Sequence, residues 1–242
     1  MSSVWSRCGI TSVYHCTPLH YAPFIFRTRA LLSRAALERR GFESRHFRST
    51  SSAADMRRGF GNVVFCATQE RFELLEAKLK RGFPHYLIEI PTKQIDHCKY
   101  LLCRYNIAKS RVARDSKRKP VLDAKCERYA SGLSLPVAID DEEKFAMLRK
   151  WARHTVVLIE GEISLELGVR VIAFSEEDEA MLMSIKKQTG SDLQIDRSDR
   201  PYRRCPKYVS QIGRFIESAI EEPDWRGSGL NYDNLLKEIW FA

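Results

Sequence analysis

TVVLIEGEISLELGVRVIAFSEEDEAMLMSIKKQTG, residues 155–190, contains two β-rich runs that feed into a well-marked amphipathic helix. The runs at 155–159 and 169–174 are almost wholly β-branched or aliphatic, which suits strands covered on both faces. Gly161 and Gly168 punctuate them. Ser175 can cap the helix by accepting from its first-turn amides, with Asp178 three residues on. Glu176 and Glu177 add negative charge at the positive end of the helix dipole. Ala180, Met181 and Ile185, with Met183 beside them, give the expected inward stripe, and Lys186, Lys187 and Gly190 mark the close.

Upstream, residues 62–67 (NVVFCA) read as a strand, and Thr68 caps a helix running to Lys80, with Phe72, Leu75 and Leu79 as its buried row. Residues 86–90 give a second strand before Pro91. Short connections make this a βαβ unit, which implies parallel pairing and a sheet covered by helices. Thr92 opens a further predicted helix toward Arg114, on which Ile95, Cys98, Leu102, Tyr105 and Val112 recur at three- and four-residue spacing. The segments at 63–82 and 171–190 share strand, cap, helix and closing glycine, a pattern that recurring caps and periods also produce without duplication. With 242 residues and 44% apolar content, the chain can bury one substantial core. The expectation is an α/β domain over residues 60–222: a small mixed sheet, built from the βαβ unit and a ββα unit, flanked by helices. A linker and a C-terminal docking helix follow at 223–242.

The first 55 residues read as a mitochondrial targeting presequence or disordered arm. Residues 1–48 hold eight arginines and no lysine against Glu38 and Glu43, a net +6 of the chain's +9. FRTRALLSRAALERRGF can form one basic amphipathic helix with Leu31, Leu32, Ala35 and Leu37 on one side. RHFRSTSS resembles a processing site, and Met56 offers an alternative start. The expected location is the mitochondrial matrix. No stretch reaches about 18 consecutive apolar residues, so no transmembrane span is expected.

Seven cysteines, at 8, 16, 66, 98, 103, 126 and 205, form no CxxC pair and suit a reducing compartment. No GxGxxG or GxxxxGK[ST] loop and no HExxH occurs. His97, Cys98 and Cys103 on one helix would splay their ligand atoms, a poor tetrahedral set, and no metal or cofactor is expected. Cys66 ends a strand just before a helix N-terminus, where a helix dipole favours thiolate. The order of elements over residues 62–190 resembles the thioredoxin-like arrangement in topology alone, without its second cysteine. That resemblance implies thiol chemistry at Cys66. Glu160 and Glu162 flank Gly161, with Asp140, Asp141 and His154 near in sequence; paired carboxylates could hold magnesium or act as acid and base, although charged turn residues are usually solvated.

The strongest charge feature outside the leader is basic. Nine lysines and arginines between Lys93 and Lys119 face only Asp96 and Asp115, and residues 196–208 add more. Arg104, Lys109, Arg111, Arg114, Lys117, Arg118, Lys119, Arg203, Arg204 and Lys207 are the candidate RNA-binding residues. Leu236, Ile239, Trp240 and Phe241 form an apolar terminal face for a protein partner. These features lead to the expectation of a non-catalytic subunit of a mitochondrial ribonucleoprotein assembly, such as the mitoribosome or an RNA-processing complex, with protein and RNA partners and no small-molecule substrate. The alternatives are an accessory subunit of a respiratory or ATP synthase complex and a thioredoxin-like thiol enzyme using Cys66.

Overall fold

The computed structural model describes residues 4–7, 9–40, 60–70, 73–80, 82, 84–98, 100–103, 156–166, 168–199 and 216. Along the chain these form α1 (Val4–Arg7), β1 (Ser12–Pro18), α2 (Ala22–Thr28), β2 (Ala30–Leu32), α3 (Arg34–Arg39), β3 (Val63–Ala67) and α4 (Glu73–Lys80). Then come β4 (His85–Pro91), β5 (Tyr100–Cys103), β6 (Val156–Glu160), β7 (Glu162–Ser164), β8 (Arg170–Ala173), α5 (Glu176–Thr189) and β9 (Gln194–Arg197). Seven strands make one sheet in the order β5-β6-β3-β1-β4-β8-β9, and β2 pairs with β7 in a second, two-stranded sheet. The fold is a mixed α/β arrangement in which, among the described strands, only β8 and β9 pair in parallel.

The strand at the middle of this sheet comes from the segment expected to be a leader. β1 pairs antiparallel with β4 along its whole length, from Ser12 opposite Pro91 to Pro18 opposite His85, and touches β3 on its other side. β3 and β4 therefore run in the same direction, as the βαβ reading requires, but do not pair with each other, because β1 lies between them. The parallel pairing and the thioredoxin-like order both fail for that one reason. The folded body begins at α1 rather than near residue 60: Trp5, Ile10, Val13, Leu19, Ala22, Ile25, Phe26 and Leu31 are all buried in its core.

The expected single leader helix is broken in two. Pro23 sits in the first turn of α2, where its missing N–H costs nothing. The helix ends at Arg29, which adopts a left-handed backbone (φ 50°). That conformation costs an L residue roughly 1 kcal/mol, and it turns the chain into β2, whose register with β7 is extended by the Leu165 N–H donating to the Arg29 carbonyl at 2.8 Å. Ser33 then caps α3 by accepting from the Ala36 amide at 3.2 Å.

Alternation along the strands sends side chains to two faces. On one face Val13, Val64, Cys66, Ile88, Val157, Ile159, Val171 and Ala173 pack with Ile25 and Phe26 of α2 and with Leu182 and Ile185 of α5. On the other, Leu87, Ile172 and Phe174 pack with Leu75 and Leu79 of α4. The two strand-helix units that look alike in sequence thus put their helices on opposite faces. α5 has the expected caps: Ser175 Oγ accepts from the Asp178 amide at 3.1 Å, and Gly190 closes it at φ 65°. Its inward stripe is rotated from the expected one. Asp178, Leu182 and Ile185 are buried and Met181 is half-buried, whereas Ala180 is exposed and Met183 is 50% exposed. The helix expected from Thr92 is replaced by a short 3-10 turn at Thr92–Gln94 and then by β5, which pairs with β6.

Candidate functional site

Central strands of a covered sheet are normally its most buried, yet Tyr14, His15 and Cys16, consecutive in the middle of β1, are only half-buried. The cause lies in the pairing with β3. Tyr14 opposite Ala67 is the only laddered pair between these strands. Continued in register, Cys16 would oppose Phe65 and Pro18 would oppose Val63, but the ladder does not extend there. His15 Nδ1 instead lies 2.9 Å from the Phe65 carbonyl oxygen, so the ring N–H donates where a backbone amide would have done. β1 keeps its full ladder to β4 while parting from β3, and the result is a seam in mid-sheet, with Tyr14 and Cys16 on the face that carries α4 and His15, whose register partner is Ile88, on the other face.

A polar row meets this seam on the face that carries α4. Tyr14 stands opposite Glu89, which stands opposite Arg170. Arg170 donates through Nε and Nη2 to one oxygen of Glu89, the Nε contact at 2.9 Å, and through Nη1 to Asp196 at 3.2 Å. The Tyr14 phenol is pushed up to about 12, first by burial and then by the negative charge of Glu89 and of Glu70. Arg170 opposes the shift, and a weak hydrogen bond to Glu89 adds to it. Tyr14 is therefore a neutral phenol throughout the physiological range.

Several expected site residues are placed elsewhere. Cys66 lies on β3 with its side chain in the core, 3% exposed, and burial pushes its thiol well above the ordinary range. No activated thiolate exists there, and the thiol-enzyme reading falls with it. Iodoacetamide at mildly alkaline pH should leave Cys66 unmodified in the native protein and react with it only after unfolding; native alkylation at the rate of a free thiol, read by peptide mass spectrometry, would contradict this burial. Glu160 and Glu162 are not a joint site. Asn62 Nδ2 donates to Glu160 at 3.4 Å, while Arg40 donates to Glu162 at 2.8 Å. Between them Gly161 (φ 85°) makes the turn, donating to Asn62 O at 2.7 Å and accepting from the Ser33 amide at 3.0 Å. These carboxylates fasten the β6-β7 turn to the N-terminal segment. His97 and Cys98 are adjacent, with Cys98 Sγ 3.7 Å from His97 Nε2, and Cys103 belongs to β5. The basic residues Arg104, Lys109, Arg111, Arg114, Lys117, Arg118, Lys119, Arg203, Arg204 and Lys207, the acids Asp140 and Asp141, His154, and the apolar Leu236, Ile239, Trp240 and Phe241 lie outside the described residues. Tyr14, His15 and Cys16 were missed because they sit in the stretch read as a leader, although SVYHCTP is rich in β-formers and carries a strand signal of its own.

No protein-family profile and no curated protein matches the chain. Among solved structures, DarT of Thermus sp. 2.9 in complex with ADP-ribosylated single-stranded DNA is similar at a TM-score of 0.50 and 13% identity, covering 78% of this chain and 95% of that one. The same protein in complex with NAD+ is similar at 0.48 and 13% identity over 78% and 96%. DarTG of Thermosipho africanus in complex with ADP-ribose is similar at 0.47 and 12% identity, covering 85% of this chain and 51% of that one. This likeness of fold overturns the reading of the chain as a non-catalytic ribonucleoprotein or respiratory-complex subunit, with RNA and protein partners and no small-molecule substrate.

Proposed function

We propose that this chain transfers an ADP-ribosyl group from NAD+ to a base of single-stranded DNA, using the seam between β1 and β3. The observation that carries the reading is the fold likeness to Thermus DarT, which spans nearly all of that protein and whose structure contains ADP-ribosylated single-stranded DNA. The seam supports it from within the chain. A dinucleotide needs an aromatic surface for its planar rings and hydrogen-bonding groups to orient them, and most such sites are clefts whose polar groups are few. Tyr14 offers an aromatic face on the side that carries α4, and His15, on the other side, puts an imidazole at the gap between β1 and β3; both are half-buried on the strand with the most complete ladder in the sheet.

In the proposed reaction the bond between nicotinamide and the ribose C1′ breaks and nicotinamide leaves with the bonding electrons. The base then bonds to C1′, and a proton departs from the attacking atom. Positive charge develops on the sugar in the transition state, and carboxylates near the seam would stabilise it. Glu70, whose field reaches Tyr14, is the carboxylate proposed for that role, since Arg170 already holds the charge of Glu89.

DNA as acceptor agrees with a chain of net charge +9, because a basic protein gathers a polyanion by long-range attraction and counterion release. We propose that the basic residues from Arg104 to Lys119 and at Arg203, Arg204 and Lys207 contact the DNA backbone. Arg111→Glu combined with Lys117→Glu should weaken oligonucleotide binding and lower the slope of log K against log salt by about 1.4, the expectation for two lost phosphate contacts on a single strand. An unchanged slope would remove these residues from the interface. The mitochondrial matrix is kept as a proposed location on the arginine-rich composition of residues 1–48 alone; the chain would have to arrive uncleaved, and absence of peptides from residues 4–40 in the matrix form would contradict that.

The test of the function is transfer of label from NAD+ labelled in its adenylate to a single-stranded oligonucleotide. Base-attached label should appear with time and enzyme. Release of ADP-ribose to water without DNA product would limit the chain to NAD+ hydrolysis.

A further inference from the structure

The row Gln194, Arg170, Glu89 and Tyr14 crosses four neighbouring strands, β9, β8, β4 and β1, on one face of the sheet, and Asp196, two residues beyond Gln194 on β9, is tied to it through Arg170. The row ends on the single laddered pair that joins β1 to β3. Each link is geometric: Gln194 Nε2 donates to both Asp196 oxygens at 3.0 and 3.2 Å, Asp196 receives Arg170 Nη1 at 3.2 Å, and Arg170 grips one Glu89 oxygen with two nitrogens. Glu89 in turn stands directly across the ladder from Tyr14. In the next row on the same face Cys16, Leu87 and Ile172 are apolar and pack with Leu75 and Leu79 of α4, and Asp196 stands at its β9 end. The polar row thus borders the apolar cluster under α4, and Tyr14 packs against that cluster. The Glu89 side chain is 13% exposed and Arg170 46%, so the carboxylate end of the row is the sheltered one.

We propose that Glu89 and Arg170 are positioning residues for Tyr14, fixing its ring at the mouth of the seam as the platform on which a planar ring of the substrate stacks. The identity of that substrate, NAD+, rests on the transferase reading; the coupling between the three side chains does not. A carboxylate gripped at one oxygen by two guanidinium nitrogens has a fixed orientation, and a phenol facing it loses freedom before any ligand arrives. Binding then avoids the cost of immobilising the ring. The charged and titratable groups facing Tyr14 are Glu89 from β4, Arg170 from β8 and Glu70 from the segment after β3. They act on it with opposite signs, which gives the proposal a signature.

The experiment uses the full-length chain, with NAD+ as ligand probe and tyrosinate absorbance as the second readout. Glu89→Gln and Tyr14→Phe should each raise KM for NAD+ by roughly 3- to 10-fold with kcat little changed, and the double variant should lose no more than either single. Arg170→Lys, which can hold Glu89 but not span to Asp196, should recover part of what Arg170→Gln loses. Between pH 10 and 12, Glu89→Gln should let Tyr14 ionise earlier than in the parent and Arg170→Gln should delay it, with Tyr14→Phe as the reference that lacks the signal. An unmoved Tyr14 titration in both variants, or parental KM in Glu89→Gln and Tyr14→Phe, overturns the proposal. If the parent chain does not bind NAD+ at all, the transferase reading and the stacking role both fail, while the titration still decides whether Glu89 and Arg170 hold Tyr14.

Discussion

A chain that starts at Met56 should not fold. It would lack β1, and with it the strand that separates β3 from β4 and carries a seven-residue ladder to the latter. It would also lack ten buried apolar side chains, from Trp5 to Ala36. Fully burying a large aliphatic or aromatic side chain stabilises a fold by about 1.5 to 3 kcal/mol, and a whole domain is stable by only about 5 to 15 kcal/mol. For the large ones among them the loss is about 10 to 20 kcal/mol, enough to cancel the whole stability of a typical domain. None of the other described elements can substitute, since β3 and β4 would have to close a gap one strand wide. Circular dichroism of residues 56–242 should show no cooperative melt, and the chain should be soluble only with denaturant. A melt matching that of the full chain would mean that the N-terminal segment is dispensable, as a cleaved presequence would be.

The second large effect is expected at His15. Its Nδ1–H satisfies the Phe65 carbonyl where the β1-β3 ladder gives out, and its half-buried ring is proposed to contact the substrate there. His15→Ala removes both roles. Loss of one oriented hydrogen-bonding contact of about 1 to 3 kcal/mol corresponds to a fall of roughly 5- to 150-fold in kcat/KM for NAD+, and the uncompensated carbonyl should also lower stability. His15→Asn separates the two: its amide nitrogen can occupy the place of Nδ1 and donate to Phe65, but it has no group where Nε2 stood. The asparagine variant should recover the melting temperature and not the turnover. Recovery of both would confine His15 to holding the seam closed, and loss of neither would remove it from the site.

The sequence disclosed local structure well and topology poorly. Caps at Ser175 and Gly190 were legible because a cap is a contact between near neighbours, decided by the residue type and the backbone of one turn. The same holds for the strands at 63–67, 85–91 and 156–160. What could not be read was which strand lies beside which. β1 pairs with residues about 70 positions away, and its own stretch was obscured by arginine and serine content, a compositional signal that a surface helix and a targeting helix share. Arg29 is an instance: in a helical reading of residues 26–42 it is one more outward cation, whereas it terminates α2 in a left-handed conformation. The helix expected after Thr92 failed because Tyr100–Cys103 is a short apolar run, for which period alone does not distinguish strand from helix.

The candidate site was illegible for a related reason. Its members are ordinary residues, a tyrosine, a histidine and a thiol in sequence, and their significance comes from the failure of β1 to pair with β3 beyond Tyr14 and Ala67. Cys66 drew attention for its place between strand and helix. A helix dipole acts on the nearest groups, but α4 starts only at Glu73 and the thiol points into the core. Burial decides its protonation state.

The measurement that bears most directly on the account is incubation of the full-length chain with adenylate-labelled NAD+ and a single-stranded oligonucleotide, followed by nuclease digestion and mass analysis of the nucleosides. The account predicts a base carrying one ADP-ribosyl group, formed by the parent and strongly reduced in His15→Ala. Unmodified nucleosides, with no protection of the folded chain by NAD+ against heat, would contradict it.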